Sequence, residues 1–185
     1  MKKTLVVYAV VFLIAVLSVS NVFAEAGGQI SQLTLAKDFN WEMDYDDVVN
    51  YLKEHPYRGE SLLYENMIVT SLYGKDHITV ISFLFVPETH QMVYITADKT
   101  IYSKNKGYQA MHTISGLYHL KDMEEYSDKT LESELKEFDK KVLVADSDTI
   151  YVLGASENYQ NSGFSSCGFF IANRQIWENA NPFVK

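Results

Sequence analysis

The sequence predicts an α+β fold: an antiparallel sheet, made of a meander plus C-terminal strands, with helices packed on one face. Three observations carry the prediction. Apolar residues recur at helical spacing between Asp44 and His55, at strand spacing with turn residues between the runs from Met67 to Ala97, and again at helical and then strand spacing beyond Asp128. The order of helix, three strands, helices and three strands hints at two similar α-β-β-β units, although no residue-level repeat accompanies it.

The first helix has signals at both ends. Asp44 is a natural N-cap, Asp47 three residues on supplies the acid of a capping box, and Met43 before the cap can staple onto Val48. Tyr45, Val48, Val49 and Leu52 form one apolar stripe, and Pro56 makes His55 the expected last residue. Met67–Tyr73 and His77–Val86 are rich in β-branched and aromatic residues, with Gly74-Lys-Asp76 between them as a hairpin loop and Pro87–His90 as the turn into a third strand, Gln91–Ala97. Both alternating sets of the middle strand are largely apolar, which predicts a central strand covered on both sides. Thr100–Leu120 reads as a helix interrupted near Gly107, and Asp122–Tyr126 as an acidic loop. Asp128 or Thr130 then caps a helix expected to run to Lys140, with Leu131, Leu135, Phe138 and Val142 on one side and Glu132–Lys136 and Glu137–Lys141 as favourable i, i+4 pairs. Val142–Ala145 and Thr149–Leu153 flank Asp146-Ser-Asp148 as a hairpin. A polar loop over Ser156–Ser166 leads to a strand at Gly168–Asn173, after which Trp177 and Phe183 lie back on the domain or fray.

Residues 1–24 read as a secretory signal peptide: Lys2 and Lys3 precede an apolar core from Leu5 to Val19, and Val22-Phe-Ala24 has the small residues of a cleavage site. The competing reading is an uncleaved anchor, since no charge occurs between Thr4 and Ala24. Residues 25–38 read as a flexible leader with Ile30, Leu33 and Leu35 as its anchors, and 39–185 as a single α+β domain. With Lys2 and Lys3 gone from the 16 basic residues, 14 face 24 acidic ones, a charge near −10. Such a chain repels phosphate backbones and anionic lipid, so nucleic acid is not an expected partner, and a cleaved signal leaves no stable membrane anchor. Cys167 is the sole cysteine, so no internal disulfide forms and stability must come from an apolar core.

The stretch from Phe39 to Val48 resembles a helix-start pattern common in bacterial exported proteins of uncharacterised function, Phe-x-Trp-Gly-Met-Ser-x-x-Glu-Val. Phe39, Trp41, Met43, Asp47 and Val48 match by type, Asp44 replaces the capping serine and Glu42 the glycine. Proteins with this pattern are similar in organisation to the small outer-membrane assembly lipoprotein family and to the beta-lactamase inhibitory protein fold. The resemblance implies a non-catalytic envelope or secreted module with its helix docked on an antiparallel sheet, and it carries over no catalytic residue.

Chemistry-bearing residues are few. Glu42, Asp44, Asp46 and Asp47 do not make a calcium loop, because Val49 and His55 stand where an EF-hand needs glycine and glutamate, and acids in a first helical turn suit the macrodipole. His55, His77, His90, His112 and His119 lack metal-ligand spacing, so no metal or other cofactor is expected. Tyrosines such as Tyr64, Tyr73, Tyr94 and Tyr151 lie in or beside strands. The polar loop with Asn158, Tyr159, Gln160 and Asn161 is the candidate partner-binding surface. These features predict an exported, non-catalytic binding module of the periplasm or extracellular space that engages a protein or other envelope ligand. The alternatives are an inhibitor of a secreted hydrolase and a thiol-dependent enzyme using Cys167, whose base would be His77 or His112.

Overall fold

A computed structural model describes residues 38–54, 61–73, 77–102, 106–158 and 163–180. The signal segment, the leader up to residue 37, the Gly74–Asp76 loop, His55, Tyr159–Asn161 and Phe183 lie outside the described residues. The chain forms helix α1 (Tyr45–Glu54), strands β1 (Leu62–Leu63), β2 (Met67–Tyr73), β3 (His77–Phe85) and β4 (Met92–Tyr102), helix α2 (Gly107–Leu117) and strand β5 (Glu124–Glu125). Helix α3 (Lys129–Glu134), strands β6 (Lys140–Ala145), β7 (Thr149–Ser156) and β8 (Ser165–Asn173) and helix α4 (Arg174–Ala180) follow among the described residues.

All eight strands join one antiparallel sheet in the order β1-β2-β3-β4-β8-β7-β6-β5. The order read from either edge is the same: a two-residue edge strand, then a three-stranded meander whose last member reaches the centre. The hinted pair of units is thus visible as α1 with β1–β4 and α2 with β5–β8, α3 being inserted before β6. Since β4 and β8 pair antiparallel, with Ile95 opposite Ile171 and Ala97 opposite Phe169, the halves are related by an approximate two-fold axis normal to the sheet. Such a rotation leaves both leading helices on one face. Accordingly Val48, Val49 and Leu52 of α1 and Met111 and Ile114 of α2 share one core cluster with Ile81, Phe83, Ile95, Leu153 and Phe169 of the sheet.

Helices on one face describes α1 and α2; the structure adds α3 and α4 on the other. Leu131, Leu135 and Phe138 pack with Ile150, Val152, Ala172 and Trp177 in a second cluster, built from the alternate residues of β7 and β8. The physical reason is the period of two: both sets of side chains on these strands are apolar, so both faces need cover. Trp177 is held there by Phe170, with ring centroids 5.7 Å apart, and donates its indole N–H to Asp128 Oδ2 at 3.1 Å. The middle strand of the first meander differs from its expectation. It lies third from the edge, with Ile81, Phe83 and Phe85 buried and Val80, Ser82 and Leu84 half-buried, and none of these last three belongs to either cluster.

Helix α1 is capped as its sequence requires: the Asp47 N–H donates to Asp44 Oδ1 at 3.0 Å and the Asp44 N–H to Asp47 Oδ2 at 3.2 Å. Phe39 anchors its approach, edge-on to Phe83 at 4.8 Å and to Tyr51 at 4.9 Å. Asp38, the last residue of the expected leader, accepts from Tyr51 Oη at 2.9 Å.

Several boundaries differ from the sequence reading. Strand β4 continues to Tyr102, past a register shift between Ala97 and Thr100 that lets Thr100–Tyr102 pair with β8; the long-range ladder overrides the polar Asp98-Lys99 pair. Helix α2 therefore begins at Gly107 and is not interrupted there. The Ser165 hydroxyl accepts from the N–H groups of Lys106 and Gly107, both at 3.0 Å, and Glu157 Oε1 accepts from the Tyr108 N–H at 2.8 Å, so side chains from β8 and from just past β7 satisfy a terminus that lacks its own cap. Helix α3 is correctly capped by Asp128, whose Oδ1 accepts from Thr130 and Leu131, but it tightens to a 3₁₀ turn at Leu135–Glu137 and does not reach Lys140. Phe138 leaves the helix to cover Gly154, and Lys140 already pairs with Ala155 in β6. At the C-terminal end β8 starts at Ser165, three residues before the expected Gly168, and the acidic segment contributes the short β5.

Candidate functional site

Where the two halves meet, on the face that carries α1 and α2, a crevice of about 110 Å³ opens over the central strands. Its floor is Ile95 of β4 and Ile171 of β8, and its walls are Phe39 and Trp41 from the approach to α1, Tyr118 from the end of α2, and Thr149 and Tyr151 of β7, with Asn40 at its lip. The sequence places these residues by ordinary means. Phe39 is drawn into the core, which turns Asn40 and Trp41 outward across the sheet. The Trp41 indole N–H then donates to Thr149 Oγ1 at 2.9 Å, a tie from the first half to the second. Helix α2 ends one residue before Tyr118, whose ring lies 4.9 Å from Phe169 and 5.9 Å from Tyr151. His119 follows with φ of 54°, and this left-handed residue turns the chain away.

The two phenols stay protonated far above neutrality. Burial first, then Tyr151 and the Asp38 carboxylate, push Tyr118 upward. Burial and the Asp146 carboxylate push Tyr151 up to about 12, against a smaller opposing effect of Thr149. Tyr151 Oη donates to Asp146 Oδ2 at 3.1 Å, while Asp146 Oδ1 accepts from the N–H groups of Asp148 and Thr149 and so shapes the β6–β7 turn. At neutral pH the crevice therefore holds neutral phenols, with the Asp38 and Asp146 side chains beside them. Among the described residues its lining holds no histidine, cysteine, serine, lysine or carboxylate.

The sequence-predicted candidates lie elsewhere. Asn158 closes its own loop by accepting from the Gly163 N–H at 3.1 Å; Tyr159, Gln160 and Asn161 lie outside the described residues. That loop leaves β7 after Ser156, whereas the crevice sits at Thr149 and Tyr151, about 17 Å back along the strand at the usual rise per residue. Cys167 is fully buried beside Ala155 and Phe169 in the first cluster, and burial pushes its thiol up to about 12, which leaves almost no thiolate at neutral pH. His112 and His119 are exposed, and His90, like His119, occupies a left-handed turn position. Among the described residues no group of three His, Cys, Asp or Glu could hold a metal ion, and no helix is long and apolar enough to cross a membrane. Tyr118 was missed in sequence because it falls in the segment with the weakest periodicity, and Trp41 reads in sequence as a docking residue only.

Two outcomes follow from the buried acids. Iodoacetamide is expected to leave Cys167 unmodified in native protein and to label it once denaturant is added; labelling of native protein at the same rate contradicts its burial. Tyr118, Tyr151 and Cys167 all have folded-state values above their unfolded ones, so the unfolded chain releases these protons first. The stability they contribute is complete below about pH 8, where the unfolded thiol and phenols are still neutral, and is lost as the pH climbs toward 12. Urea midpoints measured from pH 8 to 11 are expected to fall; a flat or rising series contradicts the assignment.

Comparison with known proteins matches the chain to no family model, no curated protein and no solved structure.

Proposed function

We propose that the protein is an exported, non-catalytic binding module of the cell envelope or extracellular space, and that it holds a protein partner at the crevice between its two halves. The observation that carries this reading is the crevice itself: aromatic walls from three separate segments converge on a space well below the roughly 300–1,000 Å³ of small-molecule and cofactor pockets. A space of that size suits one inserted side chain, and rigid aromatic residues such as Trp41, Tyr118 and Tyr151 are the types that anchor protein interfaces. The signal-like residues 1–24 and the acidic chain support export and a soluble working state.

Inhibition of a secreted hydrolase is the second reading. It draws on the other face of the first half, where Val80 and Leu84 are half-buried and lie outside both packed clusters. Inhibition assays against secreted hydrolases separate the two.

The test is a photo-crosslinking amino acid placed at Asn40, at the lip of the crevice, with Glu134 on the opposite side of the sheet as the control position. The proposal expects a discrete protein adduct from Asn40 in envelope or culture fractions and none from Glu134. The same adducts from both positions, or none from Asn40, contradict it.

A further inference from the structure

We propose that the side chain received by the crevice is that of a lysine or arginine on a basic segment of the partner. The inference rests on the binding reading above and adds the chemistry of the guest. Carboxylates stand on two sides: Asp38 beside Tyr51 and Tyr118, and Asp146, with Asp148 near it, beside Tyr151. Among the described residues no lysine or arginine lines the crevice. Among the described residues Arg174 is near Asp146 and is already engaged: its Nη1 donates to the Asp146 carbonyl at 2.6 Å, its Nε to Glu178 at 2.9 Å, and its guanidinium lies 5.7 Å from the Tyr126 ring, which packs against the second cluster. With carboxylates on two sides and no cation in its described lining, the crevice favours a positive guest, and its low-dielectric walls focus that attraction.

Geometry agrees with the charge. A cation gains by lying within about 6 Å of the face of a tryptophan or tyrosine ring, and Trp41, Tyr118 and Tyr151 all line the crevice. The floor of Ile95 and Ile171 suits the methylene stem of a long basic side chain, whose head stays toward the carboxylates at the rim. Hydrogen-bonding capacity agrees too. The Trp41 N–H and the Tyr151 O–H already donate to Thr149 and Asp146, so a guest meets the Tyr151 oxygen as an acceptor that it shares with the Thr149 side chain, and lysine and arginine are the charged side chains that only donate. An acidic guest meets two carboxylates, and a leucine gains the floor alone.

The experiment is a titration of the ¹⁵N-labelled protein with the acetylated amides of arginine, lysine, leucine and glutamate, read at the Trp41 indole N–H, whose peak is assigned by its loss in Trp41→Phe. The arginine and lysine probes are expected to shift this peak and leave that of Trp177, on the other face, in place; glutamate should move neither. Asp38→Asn and Asp146→Asn, which keep an oxygen acceptor for Tyr51 and for the turn, should each weaken arginine binding about threefold, as loss of one nearby charge does at a partly exposed site, and raised salt should weaken it further. Equal binding of leucine, unchanged affinity in both asparagine variants, or no shift with any probe overturns the inference. Each of these outcomes leaves the binding reading intact if Asn40 still captures a partner, whereas loss of the Asn40 adduct removes that reading whatever the probes do.

Discussion

Gly154→Ala is expected to destabilise the protein by about 2–3 kcal/mol, the upper part of the range for forcing extra carbon into a packed core. A Cβ at Gly154 of β7 would lie 2.4 Å from Phe138 Cδ2 and 2.5 Å from its Cγ, so the ring must leave its place. Phe138 has nowhere to go cheaply. It is buried at the end of the 3₁₀ turn, and the Asp139 N–H that follows is fixed to Ser156 Oγ at 3.1 Å. Combining Gly154→Ala with Phe138→Leu should recover part of the loss, because the smaller side chain yields the space, and a double-mutant cycle by urea denaturation reads that coupling. A loss under about 0.5 kcal/mol for the single variant, typical of an unconstrained surface site, means that Phe138 does not sit over Gly154.

Gly107→Ala is expected to lose about as much, with a sign opposite to the usual one. Glycine to alanine inside a helix ordinarily gains up to about 1 kcal/mol. At Gly107, however, a Cβ would lie 2.6 Å from the Ser166 carbonyl oxygen and 2.8 Å from that of Ser156, and these are backbone atoms of paired strands β7 and β8. The helix start must retreat, breaking its bonds to Ser165 and Glu157, for a net loss of about 2 kcal/mol. Gly116→Ala in the same helix is the control: nothing lies within 4 Å of its Cβ position, so it should gain about 0.5–1 kcal/mol. Two alanine variants of equal effect would contradict the close docking of α2. Since α2 leads into Tyr118, Gly107→Ala should also widen the crevice and weaken whatever binds there.

Residues whose fate is set by near neighbours were legible in the sequence. The Asp44–Asp47 cap, the stripe of α1, the turn at Pro87–His90 and the Asp128 cap all follow from groups three or four positions apart. The extension of β4, the early end of α3 and the left-handed His119 depend on partners 40 or more residues away or on packing, and no local pattern encodes them. The crevice was illegible for the same reason, since Trp41, Tyr118 and Tyr151 belong to three segments that only the β4–β8 pairing brings together. Trp41 could be read as a docking residue because half of its role is that: its N–H ties the approach of α1 to Thr149, while its ring faces the crevice.

The most direct test of the central claim is the identity of the partner residues attached when the cross-linker at Asn40 is activated, mapped by mass spectrometry of the adduct. The account predicts attachment within an exposed segment that carries lysine or arginine at or beside the attached residue, with the yield reduced in Asp146→Asn. Attachment within an acidic or wholly apolar segment, at a yield indifferent to Asp146, would contradict it.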